Sequence, residues 1–155
     1  MTPEKRLKAL GITLPSPALA IANYVPFVRT GDLLVISGQL ALGPDGKISD
    51  GHKGKLGVDV FNEAGQEAAR ICAINVLAQA RFALGSLDRV KRCVRLGGFI
   101  ASAPDFVALA AIMNGASDLV VAVFGEQGRH ARTTVGVSSL PLDSAVEVEA
   151  MFEVD

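Results

Sequence analysis

The sequence contains no tryptophan, a single tyrosine and two cysteines, and its lysine and arginine residues are scattered rather than clustered. Without a basic face or an aromatic stacking platform, a nucleic-acid-binding surface is not supported. Cys72 and Cys93 lack the spacing of metal ligands, and His52 and His130 are the two histidines that could assist them. We therefore expect no metal site, and we interpret both thiols as small buried hydrophobic groups in a reducing compartment.

Long apolar runs are also missing. No run approaches the ~20 residues of a membrane-spanning helix, and the N-terminus lacks the apolar core of a signal sequence. We expect a soluble, cytoplasmic protein without a membrane partner, and we treat residues 1–155 as one domain. The formal net charge is −1, yet 50% of the residues are hydrophobic and the mean hydropathy is +0.37. This composition favours burial of apolar surface between copies of the chain.

Turn residues divide the first part of the chain into a short helix and a β-hairpin. Proline at the first helical position predicts a helix that begins after Thr2 and stops at Gly11. The β-rich runs on either side of a turn at Thr30–Asp32 predict a hairpin that begins at Tyr24 and continues to Leu42.

A long helix is predicted next, from about Val60 to Leu84. Asp59 or Asn62 is the expected N-cap, and Gly85 is the expected C-terminal residue. A strand then spans residues 90–100, in which Gly97-Gly98 indicates a bulge or a close backbone approach.

The last part of the chain predicts a second long helix and two more strands. The helix begins at Ser102–Asp105, with Asn114-Gly115 as a candidate kink. Its predicted apolar face consists of Phe106, Leu109, Ala110, Met113, Ser117, Val120, Val121 and Phe124. Residues 128–137 and 146–150 predict a hairpin or a closely paired strand couple. The sum is an α+β domain in which both helices cover one face of a mixed sheet, and a second copy of the chain covers the other.

Charged residues within the last two strands admit two interpretations. Arg132 is either a surface charge or an anchor for an anionic ligand. Glu147 and Glu149 alternate with valines, so they are either the solvated face of an edge strand or part of a site. His130 shares the strand face of Arg132, and we interpret it as a polar contact rather than a catalyst.

Several segments together resemble the Rid proteins, the YjgF/YER057c/UK114 family of reactive-intermediate deaminases, a branch of which is also labelled endoribonuclease L-PSP. The resemblance covers roughly residues 14–154. The segments that carry it are Tyr24-Val25-Pro26, Gly31–Gln39, Gly85–Val90, Ala131-Arg132-Thr133, and Leu140-Pro141 before Val146–Ala150. It implies a chorismate-mutase-like fold, a homotrimer, and a ligand cleft at each subunit interface. It also implies hydrolysis of small enamines or imines to 2-keto acids and ammonia without a metal or organic cofactor.

The same resemblance implies roles for individual residues. Arg132 matches the arginine that binds the substrate carboxylate, and Glu147 matches the glutamate that helps to place the attacking water. Tyr24 matches the cleft tyrosine, and Ser37-Gly38 matches the backbone that lines the site. Thr134 occupies a further substrate-binding position, where the family often has cysteine.

Elementary chemistry is consistent with these roles, although other functions stay open. A guanidinium fits a carboxylate bidentately, and a partly desolvated glutamate is suited to proton transfer near neutral pH. Ala110 and Met113 stand where the family usually has asparagine and tyrosine, which predicts a divergent branch with a less polar helix side. Non-catalytic binding or sensing of a small carboxylate, such as a keto acid, is the first alternative, and an RNA-directed activity is the second.

Overall fold

In this computed structural model, which describes residues 1–20 and 22–155, a five-stranded sheet carries two long helices on one face. The α+β class and the short N-terminal helix predicted from the sequence are confirmed. The helices are α1 (Pro3–Ala9), α2 (Asn62–Leu84) and α3 (Leu109–Phe124), and the strands are β1 (Phe27–Thr30), β2 (Leu33–Leu40), β3 (Val90–Ala101), β4 (Ala131–Val137) and β5 (Val146–Val154).

The order of the strands, β1-β2-β5-β3-β4, corrects the predicted pairing of the last two strands. Strands β4 and β5 do not pair, because β3 lies between them. Strand β4 pairs with β3 in parallel, since α3 carries the chain back across the sheet between them. Strand β5 is therefore a central strand, antiparallel to both β2 and β3, and β4 is an edge strand.

Alternation along β5 separates the two faces of the sheet. Val146, Val148 and Phe152 are fully buried beneath the helices, and the intervening residues are partly exposed on the opposite face. The buried core continues into α2 and α3 as one hydrophobic cluster. The second face of the sheet has no cover from the described part of this chain and includes an ion pair between Arg95 and Glu149, at 3.3 Å.

The C-terminal end of α2 agrees with the prediction from the sequence, and the N-terminal end does not. Gly85 adopts a left-handed conformation (φ 82°) and ends the helix, as predicted. The predicted N-cap is wrong, because Phe61 occupies that position without a side-chain hydrogen bond. The Asp59 carboxylate instead accepts a hydrogen bond from the backbone N–H of Lys55 at 3.1 Å, which closes the preceding turn.

Helix α3 begins later than predicted, at Leu109, and runs without interruption through Asn114-Gly115. Gly115 lies where α3 crosses α2, and a Cβ at this position would overlap the backbone carbonyl of Gln66. The predicted apolar face is partly wrong: Ala110 is exposed. The side chains that α3 does bury are Ile112, Met113, Ala116, Leu119, Val120, Val123 and Phe124.

The segment Leu109–Gly128 also corrects the expectation that no apolar run has the length of a membrane span. It is 20 residues long and contains an 18-residue window with a mean hydropathy of 1.4, so it meets that criterion by length and composition. Its largest apolar side chains, however, are buried against α2 and the sheet. The core helix of a soluble protein passes the same length and composition test.

The first hairpin is shorter than predicted. Strand β1 begins at Phe27, so Tyr24 precedes the sheet and belongs to a loop. The register between β2 and β5 shifts between Ile36 and Gln39, which gives the strand an irregularity at Ser37-Gly38. Gly97 and Gly98 form no bulge but a close approach: a Cβ on Gly97 would lie 2.7 Å from the Cγ of Glu149.

Both cysteines are buried in the core, as predicted. Cys72 lies on α2 and Cys93 lies on β3, and both are fully inaccessible to solvent. Burial raises the pKa of the Cys93 thiol to about 12, and burial raises that of Cys72 well above its ordinary value. Neither thiol is therefore ionised near neutral pH.

Candidate functional site

The six predicted site residues form two groups that occupy different places in the folded chain. Tyr24, Ser37, Gly38 and Glu147 line one cavity of about 350 Å³. Arg132 and Thr134 do not line this cavity and lie on β4, at the edge of the sheet.

Glu147 is the charged member of the first group. It extends from β5 on the face opposite the core, and its side chain is partly buried. Burial raises the pKa of the Glu147 carboxyl, and the neighbouring Glu149 carboxylate raises it further. Both effects make the ionised Glu147 carboxylate a stronger base than an exposed glutamate, which suits it to accept a proton and return it.

Gly38 lies directly against Glu147. A Cβ on Gly38 would be 2.7 Å from the Oε1 of Glu147, so a larger residue would force the carboxylate to move. The neighbouring Ser37 hydroxyl donates a hydrogen bond to the backbone carbonyl of Val25 at 2.8 Å. This bond connects the cavity floor on β2 to the loop that carries Tyr24, whose exposed fraction is 56%.

Buried amides on α2 hold other parts of the cavity wall. The Gln79 side chain is 1% exposed and donates to the backbone carbonyl of Ala18 at 2.7 Å. Asn75 donates to the carbonyls of Leu40 and Leu42 at 3.0 and 2.9 Å. Because Ala18, Leu40 and Leu42 line the cavity, these hydrogen bonds connect its wall to the longest helix of the described chain.

Arg132 makes its hydrogen bonds to α3. Its Nη1 donates to the Oδ1 of Asn114 at 2.8 Å and to the Oγ of Ser117 at 3.1 Å. Both acceptors are neutral, and within residues 1–20 and 22–155 no carboxylate forms a salt bridge with Arg132. In the same residues, Nε and Nη2 have no hydrogen-bond acceptor. The guanidinium is thus oriented through one nitrogen, and its Nε–H and Nη2–H groups stay available to a planar anion.

His130 completes the polar cluster around Arg132. Its Nδ1 is 2.6 Å from the carbonyl oxygen of Gly128, and its Nε2 is 2.9 Å from the Oγ of Ser117. A carbonyl can only accept, so Nδ1 carries the proton and Nε2 accepts from the Ser117 hydroxyl. Burial lowers the pKa of His130 and so does the Arg132 charge, whereas the Gly128 hydrogen bond raises it. The net effect is a lowered pKa, which favours the neutral ring. This agrees with the interpretation of His130 as a polar contact.

Thr134 follows two positions after Arg132 and therefore shares its side of β4. Its Oγ1 is buried and finds no hydrogen-bond partner among the described residues. A buried hydroxyl without a partner costs about 1–3 kcal/mol, and a water or ligand that reached it would relieve that cost.

The two groups extend from opposite faces of the sheet. Arg132 pairs with Leu96, which pairs in turn with Ala150, and both of these residues are buried on the helix side. Glu147 pairs with Phe99 on the other side. Paired residues share a face, so one chain does not bring the guanidinium and the carboxylate together.

Asn114 and Ser117 are the site residues that the sequence did not reveal. Their contacts with Arg132 correct the expectation of a less polar helix side, which was based on Ala110 and Met113. The spacing of three between Asn114 and Ser117 is the available signal, since it places both on one helix face. Within the described residues, no group of three His, Cys, Asp or Glu side chains is arranged to hold a metal.

Comparisons with known proteins find relatives that match nearly the whole chain. The sequence matches the family described as "YjgF/chorismate mutase-like, putative endoribonuclease" over residues 4–154. The protein TCP17 of Trypanosoma cruzi is 47% identical over 150 residues, which cover 96% of this chain and 92% of that protein.

Solved structures are similar over nearly the whole chain. The crystal structure of Atu1372 from Agrobacterium tumefaciens, whose function is unknown, is 48% identical, with a TM-score of 0.91 over 99% of this chain and 92% of that one. The crystal structure of E. coli TdcF with bound serine is 27% identical, with a TM-score of 0.62 over 93% of this chain and 97% of that one. The predicted chorismate-mutase-like fold is confirmed by these similarities.

Proposed function

This chain belongs to the YjgF/chorismate mutase-like (Rid) family, and from that premise we propose that it hydrolyses small enamines and imines derived from amino acids. The products are 2-keto acids and ammonia, and the proposed reaction requires no cofactor. The proposed site is a cleft between two copies of the chain in a cytoplasmic homotrimer.

The observation that carries the proposal is the state of Arg132. A half-buried guanidinium held by two neutral acceptors has no negative partner among the described residues. A desolvated cation of this kind gains from an added anion, and a carboxylate matches its planar donors bidentately. The unpartnered hydroxyl of Thr134 on the same side of β4 offers a further polar contact to the bound molecule.

Glu147 supplies the second part of the proposed chemistry. Water attacks the imine carbon while the Glu147 carboxylate accepts a proton from it. The carbon–nitrogen bond then breaks, the nitrogen receives protons and leaves as ammonia, and the carbon keeps the water oxygen as a carbonyl. The substrate is already electrophilic, so orientation and water delivery supply most of the acceleration.

Two copies are needed because Arg132 and Glu147 lie on opposite faces of one sheet. A neighbouring copy that covers the second face of the sheet could present its own Arg132 edge to the cavity of the first. We therefore propose that Arg132 and Thr134 belong to one wall of the cleft. Tyr24, Ser37, Gly38 and Glu147 of the adjacent copy belong to the other wall.

TdcF supports the chemical class of the ligand. Its crystal structure contains bound serine, a small molecule with a carboxylate and an amino nitrogen. An imine of an amino acid has the same carboxylate next to a carbon–nitrogen bond. The free donors of Arg132 would bind the carboxylate of such an imine.

The test uses imines generated in situ from amino acids by an amino-acid oxidase, with keto acid or ammonia as the readout. Wild-type protein should accelerate hydrolysis, and Arg132→Ala should abolish the acceleration. Arg129→Ala is the matched control, since Arg129 is 72% exposed and forms a salt bridge with the nearby Glu126. If wild type does not differ from buffer with any imine, the proposal fails. Arg132-dependent keto-acid binding without turnover would instead show a carboxylate sensor, and cleavage of single-stranded RNA alone would show a nuclease.

A further inference from the structure

We infer that the cavity beside Glu147 receives the substrate side chain and selects imines of large apolar amino acids, with Leu142 as a specificity-determining residue. This inference rests on the proposed function, because it names the substrate class of the same site. Three observations support it: the charge of the cavity, its apolar wall and the backbone conformation at Leu142.

The charge of the cavity excludes the carboxylate end of the substrate. Among the described residues that line it, Glu147 is the one with a formal charge, and that charge is negative. A substrate carboxylate would be repelled there, so it binds elsewhere, at Arg132 of the adjacent copy in the proposed cleft. The part of the substrate that enters this cavity is then the reacting carbon and its side chain.

The wall of the cavity is mostly apolar. Its apolar residues include Leu19, Pro26, Leu40, Leu42, Pro141 and Leu142. A methyl group would leave most of a cavity of about 350 Å³ unfilled. A branched or linear side chain of four carbons buries more apolar surface, and one methylene in such a pocket changes kcat/KM by about 10-fold or more. An acidic side chain would meet Glu147 and be rejected.

Leu142 projects from a turn with an unusual backbone. Its φ and ψ are 55° and 21°, a left-handed conformation that leucine rarely adopts, and Asp143 follows with a φ of 60°. Leu142 is also 69% exposed in one chain, so burial in the core does not explain why leucine is held there. Strained residues of this kind occur at sites where the conformation serves a function.

Hydrogen bonds hold this turn above the cavity. The backbone N–H of Asp143 donates to the Leu140 carbonyl at 3.2 Å, and the Asp143 carbonyl accepts from Gly54 at 2.9 Å. Ser144, fully buried below the turn, accepts from the N–H of Ala41 at 3.2 Å. The turn is thus anchored on both sides, and it presents Leu142 at the cavity mouth in a fixed position.

The test compares imines of leucine and alanine, generated in situ, with the wild type and three variants. Leu142→Gly and Leu142→Asn place residues that tolerate the left-handed conformation at the turn but lack the leucine side chain. Asp143→Gly is the matched control, because it relieves a similar φ in the same turn without lining the cavity. Affinities for the products, 4-methyl-2-oxopentanoate and pyruvate, are measured by calorimetry as a readout independent of turnover.

We expect wild type to prefer the leucine-derived imine by at least about 10-fold in kcat/KM, and both Leu142 variants to lose most of that preference. Asp143→Gly should keep it, and all three variants should melt no lower than wild type.

Equal rates on both imines, or unchanged preference in the Leu142 variants, would overturn the inference while leaving the proposed hydrolysis intact. Dissociation of the oligomer by Leu142→Gly would also overturn it, since Leu142 would then be an assembly contact. Leu142-dependent discrimination between the two keto acids without any turnover would support the inference while the proposed hydrolysis failed.

Discussion

The guanidinium of Arg132 and the carboxylate of Glu147 extend from opposite faces of one sheet, on an edge strand and a central strand respectively. Side chains on opposite faces of a sheet are separated by its backbone, and no rotamer change brings them together. Any reaction that uses both groups on one substrate therefore uses two copies of the chain.

Mixing two inactive variants tests this composite site. Arg132→Ala and Glu147→Gln should each be inactive alone, because each lacks one wall of the cleft. After the two variants are unfolded and refolded together, mixed assemblies of the proposed trimer should contain some clefts with both native residues. Random assembly of equal amounts should restore about a quarter of the wild-type activity. An active cleft needs Arg132 from one chain and Glu147 from the adjacent chain, and each is present with a probability of about one half.

The control for this experiment is the double variant with both substitutions in one chain, mixed with wild type. Random assembly with an equal amount of wild type should lower the activity from about one half to about a quarter of that of pure wild type, because both walls of an active cleft must then come from wild-type chains. Should the mixture of single variants stay inactive while each refolds to the same oligomer, Arg132 and Glu147 do not act in one cleft.

Glu147→Gln should raise the melting temperature at pH 7 even as it abolishes activity. Burial raises the pKa of this carboxyl, so its ionised form destabilises the folded state at neutral pH. Glu147 of the wild type contributes most to the free energy of unfolding below about pH 4, the ordinary range of a glutamate pKa. This contribution is lost as the pH rises through the raised pKa. The difference between variant and wild type should therefore vanish in acid, as thermal unfolding across pH will show.

Glu149→Gln is the matched variant on the same strand face. It removes a carboxylate that raises the pKa of Glu147, so the acidic limb of the activity profile should move to lower pH. It also removes the ion pair with Arg95, so no rise in melting temperature is expected. An unchanged acidic limb would argue against Glu147 as the titrating group.

Ser117→Ala should weaken carboxylate binding without unfolding the protein. It deletes one of the two acceptors that orient the Nη1 of Arg132, and it leaves the His130 Nε2 without its donor. A hydrogen bond to a charged group contributes about 1.5–3 kcal/mol, so without it the guanidinium is held less firmly in the orientation that binds a carboxylate. Calorimetry with pyruvate measures the change, and Ser117→Thr, which keeps the hydroxyl, should recover most of it. Equal affinities for wild type and Ser117→Ala would contradict a positioning role.

Gly115→Ala should destabilise the fold by about 3 kcal/mol, because a methyl group there forces α3 away from α2. The clash is with the backbone carbonyl of Gln66, which no rotamer change can relieve. Alanine is the better helix former by about 1 kcal/mol, so a destabilising result can only come from the packing. Urea unfolding measures the effect. Gly51→Ala, with nothing within 4 Å of the added Cβ, should change stability by no more than about 0.5 kcal/mol.

Local signals in the sequence predicted which helices and strands form, but not all of their ends and not the pairing of the last two strands. Pro3, Gly85 and the valine alternation of β5 each act through their own backbone, so short stretches predict them. The pairing of β4 with β3 is decided by α3, which packs on the sheet between them and makes the connection parallel. Neighbouring strands in sequence more often pair with each other, and that tendency produced the wrong hairpin.

The sequence predicted the cavity residues of the candidate site better than the surroundings of Arg132. Resemblance named Tyr24, Ser37, Gly38 and Glu147, and these do line a common cavity. It also named Arg132, but β4 is partly exposed along its length, so alternation did not reveal which face the arginine occupies. The contacts of Arg132 come from α3, 15 and 18 residues earlier in the chain, and only the packing of that helix brings them close.

The two core thiols have a practical consequence for these experiments. Because Cys72 and Cys93 are inaccessible and un-ionised near neutral pH, maleimide reagents should leave the folded protein unlabelled. A cysteine introduced at a single exposed position would then be the one reactive handle on the molecule. Dyes attached there on separate batches would report subunit exchange by energy transfer, without removal of any native residue.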